Sequence, residues 1–521
     1  MNAYPLPMTT RRTALALLSC LGCATPAHAN PAAEPVTWPE YRPRLEYDFA
    51  AETARIPPPT RVLDDGVENV EGTVVSGWWC FRYGPDRNPK VTEEAWIPML
   101  ERLNEDAAFI RREFGWPPDK RAKKGYYSTV YLFGSGLSTD NADREALGGW
   151  MGSVRHEDED WPMVLLSYYP VWAFDPNYPN HDAGYQTGAV VHEYVHAIQA
   201  DMPGCKKAAW FHEGGNNWVL GMMAAKRGGS RDRMGWLSAG SMIAPFMPIE
   251  CYSGWLQDGS FGGPSAEGVH QGQDQGGRTY ATWRKLLGGV AYSEAFPYFL
   301  GEFVSEKSIA WIWQHCDGRV LEGIATKPGG LGDPQTRRLI QEYRGRAAMC
   351  DFGQWSKAFE RLLTDNWGLE IVAEGDPLWK PCEPWKATCY VKTTVEDGML
   401  VPEPRTLPGW TGANQIPLKT TGKKDDIVGL YFHPKEANMS CQLVYRATDG
   451  SVVYSRPVPE GPCALRLEKP VKDDVIIAVV CNTDYVYEGD RTRTKKYDYR
   501  LKPAKGIAGT ADIHHPWFKA D

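Results

Sequence analysis

The chain has 521 residues, of which 42% are hydrophobic and 23% are charged. This length accommodates two or three domains, and the formal net charge of −8 at pH 7 argues against nucleic acid as a partner, because phosphate binding requires a basic surface. No apolar stretch after the first residues is long enough to span a bilayer, so we expect no membrane span.

The first 29 residues are typical of an export signal. Two arginines, Arg11 and Arg12, precede a short apolar run, and alanines 27 and 29 fit a cleavage site that leaves Asn30 as the mature start. Twin arginines favour the Tat route, with the Sec route and a lipid attachment at Cys20 as alternatives. We therefore expect an exported protein, either periplasmic or secreted.

The cysteine content agrees with export. Of twelve cysteines, all but Cys20 and Cys23 follow the leader, which leaves an even number, ten. In an oxidising compartment these can form up to five disulfides, whose pairing cannot be deduced from the sequence.

The first half of the chain alternates strands and helices. Residues 30–69 are rich in proline and charge, which predicts an extended segment. Hydrophobic periodicity and turn residues then predict, in chain order, a strand over 73–83, a helix over 92–114, strands over 126–133, 149–154 and 163–168, and helices over 186–201 and 210–225.

The second half changes character near residue 375. Helices are predicted over 278–287, 294–303, 309–316, 335–349 and 354–364. The glycine-rich stretch 258–277 is too long for a simple connection and is either a binding loop or disordered. Beyond 375, short β-rich runs with a hairpin signal at 448–451 predict a β-sandwich. We therefore expect a first domain over 70–375 and a second over 376–521.

A metal-binding pattern lies at the centre of the first domain. His192 and His196 are four residues apart on a predicted helix, so they share one face and can bind one metal ion. Glu193 lies beside them, and Glu213 in the first turn of the next helix can supply a third ligand. Two imidazoles, a carboxylate and a water form the coordination set of a catalytic zinc ion. A structural or degenerate site is the alternative.

Other third ligands fit less well. The position six residues after His196, where a metzincin has histidine, is Met202. Asp201 is placed to close the helix, and His212 points about 100° away from Glu213 on a helix.

This arrangement resembles the gluzincin metallopeptidases, in which two histidines and a downstream glutamate bind zinc. Residues 210–214 are similar to the Trp-Leu-Asn-Glu-Gly segment of aminopeptidase-N-like members. The resemblance implies an α+β, zincin-like two-lobed peptidase domain, with a mixed sheet plus helices followed by a helical lobe, one zinc ion, and strand 149–154 as the sheet edge beside the cleft. Residues 148–152 lack the glutamate of the exopeptidase signature, which favours endopeptidase action.

A second resemblance is to the Svx-type secreted virulence metallopeptidases of plant-pathogenic bacteria. Residues 295–300 and 412–418 are similar to segments of that group. It implies an extracellular or host protein or glycoprotein as substrate.

The resemblance to gluzincins also implies the roles of the base and of the oxyanion donor. Glu193 is the general base, and a lower-lobe tyrosine or histidine donates to the developing oxyanion. Tyr292 is our first candidate for this donor, with Tyr280, Tyr298 and His270 as rivals. Asn217 is a candidate for holding Glu213 in place.

The sequence thus predicts a secreted, zinc-dependent endopeptidase that acts as a monomer on a polypeptide or glycoprotein. Two alternatives stay open: a zinc amidase acting on cell-wall peptide or glycopeptide, and a non-catalytic secreted binding protein with a vestigial metal site.

Overall fold

The computed structural model describes residues 35–140, 148–179, 183–250, 294–364 and 393–511 together with Trp385, except for positions 39, 207, 230, 232–239, 244, 405–406, 490 and 493–494 within those ranges. All of these residues belong to one compact unit over Ala32–Asp521. The predicted leader, the glycine-rich stretch 258–277, the helix over 278–287 and the domain boundary at 375 lie outside the described residues. Within these residues the chain is of the α+β class.

The first of three sheets is mixed, and its edge strand passes beside the candidate site on the helices. Its strands are β1 (Gly72–Ser76), β2 (Trp79–Tyr83), β3 (Ser128–Leu132), β4 (Gly149–His156) and β5 (Glu159–Leu166). Their order is β1-β2-β3-β5-β4. Strand β3 is parallel to β2 and β5, whereas β4 is antiparallel to β5 and lies at the edge. The predicted strand 149–154 is therefore an edge strand.

The single strand predicted over 73–83 is wrong, because β1 and β2 form an antiparallel hairpin. Gly77 adopts a left-handed backbone with φ +57°, which glycine tolerates without steric cost. Asn104, on the following helix, secures the turn: its Oδ1 accepts from the Trp78 amide at 2.8 Å and its Nδ2 donates to the Ser76 carbonyl at 2.9 Å. The turn depends on a residue distant in sequence, so local periodicity does not reveal it.

Helices cover one face of this sheet. The first half of the chain contains α1 (Ala50–Thr53), α2 (Glu93–Phe114), α3 (Lys120–Lys123), α4 (Tyr168–Trp172), α5 (Ala183–Gln199), α6 (Ala209–Gly228) and α7 (Gly240–Ile243). The predicted helix over 92–114 is confirmed as α2, with Thr92 at its N-cap and Gly115, φ +67°, at its C-cap. Buried apolar residues of α2, α5 and α6 form one core with β2, β3 and β5.

A helical segment follows. It comprises α8 (Ala295–Phe303), α9 (Ser308–His315), α10 (Val320–Thr326), α11 (Asp333–Ala347), a 3₁₀ turn at Gly353–Trp355 and α12 (Ser356–Thr364). The helices predicted over 294–303, 309–316, 335–349 and 354–364 are confirmed within a few residues, while α10 was not predicted. Its residues Leu321 and Ile324 are fully buried in the same core as α6.

Two antiparallel sheets follow the helices and form a sandwich. One has the order β11-β10-β13-β8-β15 and the other β12-β9-β14-β7-β6. Their strands are β6 (Thr393–Glu396), β7 (Met399–Pro402), β8 (Ala413–Thr420), β9 (Ile427–Pro434), β10 (Met439–Arg446), β11 (Val452–Tyr454), β12 (Gly461–Arg466), β13 (Val475–Asn482), β14 (Tyr499–Pro503) and β15 (Ile507–Thr510). The hairpin predicted at 448–451 joins β10 to β11.

The β8–β10–β13 sheet is covered on both faces. Its inner face shares a core with the other sheet, for example Leu443 against Phe432. Its outer face packs into the helical core through Val444, Ile477 and Val479. Consequently β13 is buried along its whole length, as expected of a strand with two covered faces.

The N-terminal segment runs across these layers. Tyr41 donates to Glu342 of α11 at 2.6 Å, and the Val36 amide donates to the Tyr454 carbonyl of β11 at 3.0 Å. Farther along, Asp65 lies in a buried charge network under the first sheet.

In this network, the Asp65 carboxylate accepts from Arg82 at 2.7 Å and Arg121 at 3.1 Å, and also from the Tyr131 hydroxyl. Burial raises the pKa of Asp65, but the tyrosine and the two arginines together lower the pKa by more, so it lies below its ordinary value.

Two further features bear on the sequence predictions. Among the helices that the structure describes, none is both long enough and apolar enough to cross a bilayer. Among the described cysteines, six are buried free thiols, namely Cys80, Cys205, Cys316, Cys441, Cys463 and Cys481, and Cys350 is also fully buried. Cys251, Cys382 and Cys389 lie outside the described residues.

Candidate metal centre

Two helices bring the three predicted ligands together. Nε2 of His192 lies 3.1 Å from Nε2 of His196 and 3.1 Å from Oε2 of Glu213, and Nε2 of His196 lies 3.5 Å from Oε1 of Glu213. One donor atom from each residue falls within 4.8 Å of the others. Three donors converging on one point in this way could hold a metal ion.

Packing fixes this geometry. The two histidines are one turn apart on α5, whose Val191, Val195 and Ile198 are fully buried in the core. Helix α6 packs against α5 and presents Glu213, its fifth residue and therefore just past the predicted first turn. Because both helices are held by apolar faces, the polar donors share the remaining narrow gap between them.

Glu213 is held as a carboxylate. Burial raises its pKa, while hydrogen bonds from His192 and His196 lower it by more, so the pKa lies well below its ordinary value. Its side chain is 32% exposed, against 6% for His192 and 11% for His196. The centre is therefore open to solvent on the Glu213 side.

Gln199 orients His196, a role the sequence analysis did not assign. Its Oε1 lies 3.2 Å from Nδ1 of His196. An amide oxygen only accepts, so Nδ1 donates to it, and Nε2 is the ring nitrogen that faces His192 and Glu213. Gln199 is three residues after His196, a spacing that places both on one helix face, and this spacing was the available signal.

Asn216 is a second residue that the sequence analysis missed. Its Nδ2 donates to the backbone carbonyl of His192 at 2.7 Å. This bond ties α6 to α5 at the level of the metal ligands, three residues after Glu213. It fixes the register between the helix with two ligands and the helix with the third.

Glu193 lies on α5, the helix with the two histidines, and faces the start of the edge strand β4. It is 9% exposed. A Cβ atom added to Gly149, the first residue of β4, would come within 3.1 Å of Cγ of Glu193 and 2.8 Å of Cδ2 of Leu166. A side chain at position 149 would therefore press on Glu193 and Leu166 where the strand passes the glutamate. The edge strand and Glu193 border the same gap.

Asn217 contacts Glu294 instead of Glu213. Its Nδ2 donates to Oε1 of Glu294, at the start of α8, and its backbone carbonyl accepts from the Tyr298 hydroxyl at 3.1 Å. Tyr298 is 1% exposed, and a Cβ atom added to Gly221, two turns beyond Glu213, would clash with its hydroxyl. Among the oxyanion donors considered, Tyr298 therefore packs between helices, whereas Tyr292, Tyr280 and His270 lie outside the described residues.

The two rejected ligands are engaged elsewhere. His212 Nε2 lies 3.1 Å from the Cys205 carbonyl oxygen, and burial lowers the pKa of His212. Asp201 pairs with Lys123 at 2.8 Å. Neither side chain belongs to the cluster of three donors.

No protein-family model matches this sequence, and comparison with curated proteins finds no match. The function is therefore argued from the chemistry of the centre.

Proposed function

We propose that this protein is a zinc metallopeptidase and acts as an endopeptidase. The observation that carries this proposal is the convergence of His192, His196 and Glu213 within 4.8 Å, with Glu193 beside them. Zinc accepts nitrogen and carboxylate ligands, and three protein ligands leave a position for water or substrate. A zinc ion held there would act as a Lewis acid toward a carbonyl and acidify a water molecule.

Glu193 is the proton carrier in this proposal. A carboxylate next to the ligands can accept a proton from the attacking water and pass it to the leaving amine. Its burial limits the water around it, and the contact with Gly149 restricts its side chain from the strand side. A base that is held in one position transfers a proton more readily than one whose side chain rotates freely.

Strand β4 is the proposed binding edge for the substrate backbone. It pairs with β5 on one side, and its first residue, Gly149, lies beside Glu193. An extended peptide that adds to such an edge gains main-chain hydrogen bonds, which do not require a free amino terminus. This supports cleavage within a chain, and a zincin-like two-lobed arrangement is the fold that we infer for residues 70–375.

The test combines metal analysis with cleavage assays. Purified protein loaded with zinc is incubated with a peptide library and with cell-wall material, with and without a chelator, and new termini are mapped. We expect internal cleavage of peptides that the chelator abolishes. Glu193→Gln should lower the rate by about 10²–10⁴-fold with zinc content unchanged, and His196→Ala should lose zinc.

Glu105→Gln, at an exposed position of α2, is the matched control and should behave as wild type. Cleavage of wall material alone would instead indicate the amidase. Bound zinc without turnover of either substrate, in wild type and Glu193→Gln alike, would indicate the non-catalytic binding protein and refute the peptidase.

A further inference from the structure

Two cysteines in the sandwich lie side by side on strands of different sheets. Cys441 is on β10 and Cys463 is on β12, and both are fully buried in the core between the sheets. Sγ of Cys463 lies 3.6 Å from the carbonyl oxygen of Cys441, and the two thiols hydrogen-bond to each other. A bond between these sulfurs would therefore join the two layers of the sandwich.

The surrounding backbone holds the two residues in this position. The Cys441 amide donates to the Val458 carbonyl at 2.9 Å, and the Val458 amide donates back to the Cys441 carbonyl at 2.8 Å. Val458 belongs to the segment that crosses from β11 in one sheet to β12 in the other. The crossing is thus fixed to β10 next to Cys463, so the proximity of the sulfurs is set by the main chain.

We propose that Cys441 and Cys463 form a disulfide when the chain folds in the presence of a small or protein disulfide as oxidant. The thiolate of one cysteine attacks a sulfur of the oxidant and releases one thiol. The second cysteine then attacks this mixed disulfide and releases the other thiol. Two S–H bonds are replaced by one S–S bond, and the oxidant's disulfide is reduced to two thiols.

Burial determines when this exchange takes place. The attacking species is a thiolate, and burial raises the pKa of Cys441 in the folded sandwich. Because both sulfurs are fully buried in the folded sandwich, the exchange takes place during folding.

The other cysteines provide contrast. Cys205 and Cys316 are neighbours through a backbone hydrogen bond of 2.6 Å, and burial and the charge of Cys316 raise the pKa of Cys205, but within the described part of the chain their sulfurs share no hydrogen bond. Cys481 faces the helices, in the core opposite to that of Cys441, and Cys80 is buried on β2. The proposal is therefore confined to the pair whose thiols hydrogen-bond to each other.

The test is peptide mapping of refolded full-length protein. The chain is denatured, reduced and refolded with mixed reduced and oxidised glutathione, then denatured again with an alkylating reagent and digested without reductant. We expect a linked peptide pair that contains Cys441 and Cys463 and lacks two hydrogen atoms, with Cys80 and Cys481 alkylated. Alkylation of both Cys441 and Cys463, or linkage of either to another cysteine, would overturn the proposal.

Thermal unfolding gives a second measurement. Reductant should lower the melting temperature of the oxidised wild type by roughly 5–10 °C and leave the double variant Cys441→Ser, Cys463→Ser unaffected. The matched double variant Cys80→Ser, Cys481→Ser should retain the reductant effect. Should either double variant fail to fold, the peptide map of the wild type decides the question.

Discussion

Replacing Gln199 by alanine should weaken metal binding without unfolding the protein. Gln199 is 2% exposed, and its amide oxygen fixes the hydrogen of His196 on Nδ1. Without that acceptor, His196 also populates the tautomer that places the hydrogen on Nε2, the atom facing His192 and Glu213. Only the fraction of molecules in the correct tautomer binds the metal.

The geometry sets the expected magnitude. Loss of an outer partner of a metal-binding histidine typically costs 10–100-fold in metal affinity. The distance from Nδ1 of His196 to Oε1 of Gln199, 3.2 Å, is at the long end for an N–H···O bond. Its acceptor is also a neutral amide, so the bond is weaker than one to a carboxylate. We therefore expect about tenfold weaker binding, or about 1.4 kcal/mol.

The assay is a zinc titration in competition with a chelator of known affinity, with circular dichroism as a check on folding. Gln199→Glu keeps an acceptor and should bind zinc at least as tightly as wild type. Gln341→Ala removes another glutamine that is 2% exposed and contacts Gln442, and should leave the affinity unchanged. Equal affinity of Gln199→Ala and wild type, or an equal loss in Gln341→Ala, would refute this reasoning.

Two further substitutions test the strand and the N-terminal segment. Gly149→Ala should lower the cleavage rate about tenfold or more at unchanged zinc content, because its Cβ would come within 3.1 Å of Cγ of Glu193. The control is Gly152→Ala, whose Cβ would meet Leu165 instead and which should keep the wild-type rate. Equal effects of the two substitutions on the rate would contradict this prediction. Asp65→Asn should lower the free energy of unfolding in urea by about 3–5 kcal/mol at neutral pH, since it leaves two arginines without their carboxylate, whereas Tyr131→Phe should lose only about 1 kcal/mol. The folded-state pKa of Asp65 is depressed, so the stability difference between wild type and Asp65→Asn is fully present above the unfolded pKa of about 3.9. It should shrink as the pH falls through the folded-state pKa. A stability difference that stays constant across that pH range would contradict the role of the ionised Asp65 carboxylate.

Local periodicity was sufficient for the helices that carry the metal ligands. His192 and His196 share a face because of their spacing alone, and the buried residues around them follow the same period. The third ligand was also predictable, since Glu213 lies near the start of the next helix. What the spacing could not provide was the register between α5 and α6, which depends on the bond from Asn216 to the His192 carbonyl.

Long-range contacts explain the errors. The hairpin between β1 and β2 depends on Asn104, and β6, β7, β8, β14 and β15 are strands that the sequence analysis did not predict. Strand β13 is buried on both faces by a sheet and by helices, so it does not show the alternation expected of a simple sandwich. Asn217 was assigned to Glu213, but its partner is Glu294, which lies 77 residues later in the chain.

The placement of the centre separates metal binding from catalysis. All three donors, and the two amides that orient them, come from α5 and α6, whereas the contact that restrains Glu193 comes from β4 of the sheet. Changes at Gln199 should therefore alter zinc affinity, and changes at Gly149 should alter rate at full zinc occupancy. If Gly149→Ala instead released zinc, the edge strand would help to hold the metal ligands in place. The rate of this variant would then not distinguish a catalytic Glu193 from a structural one.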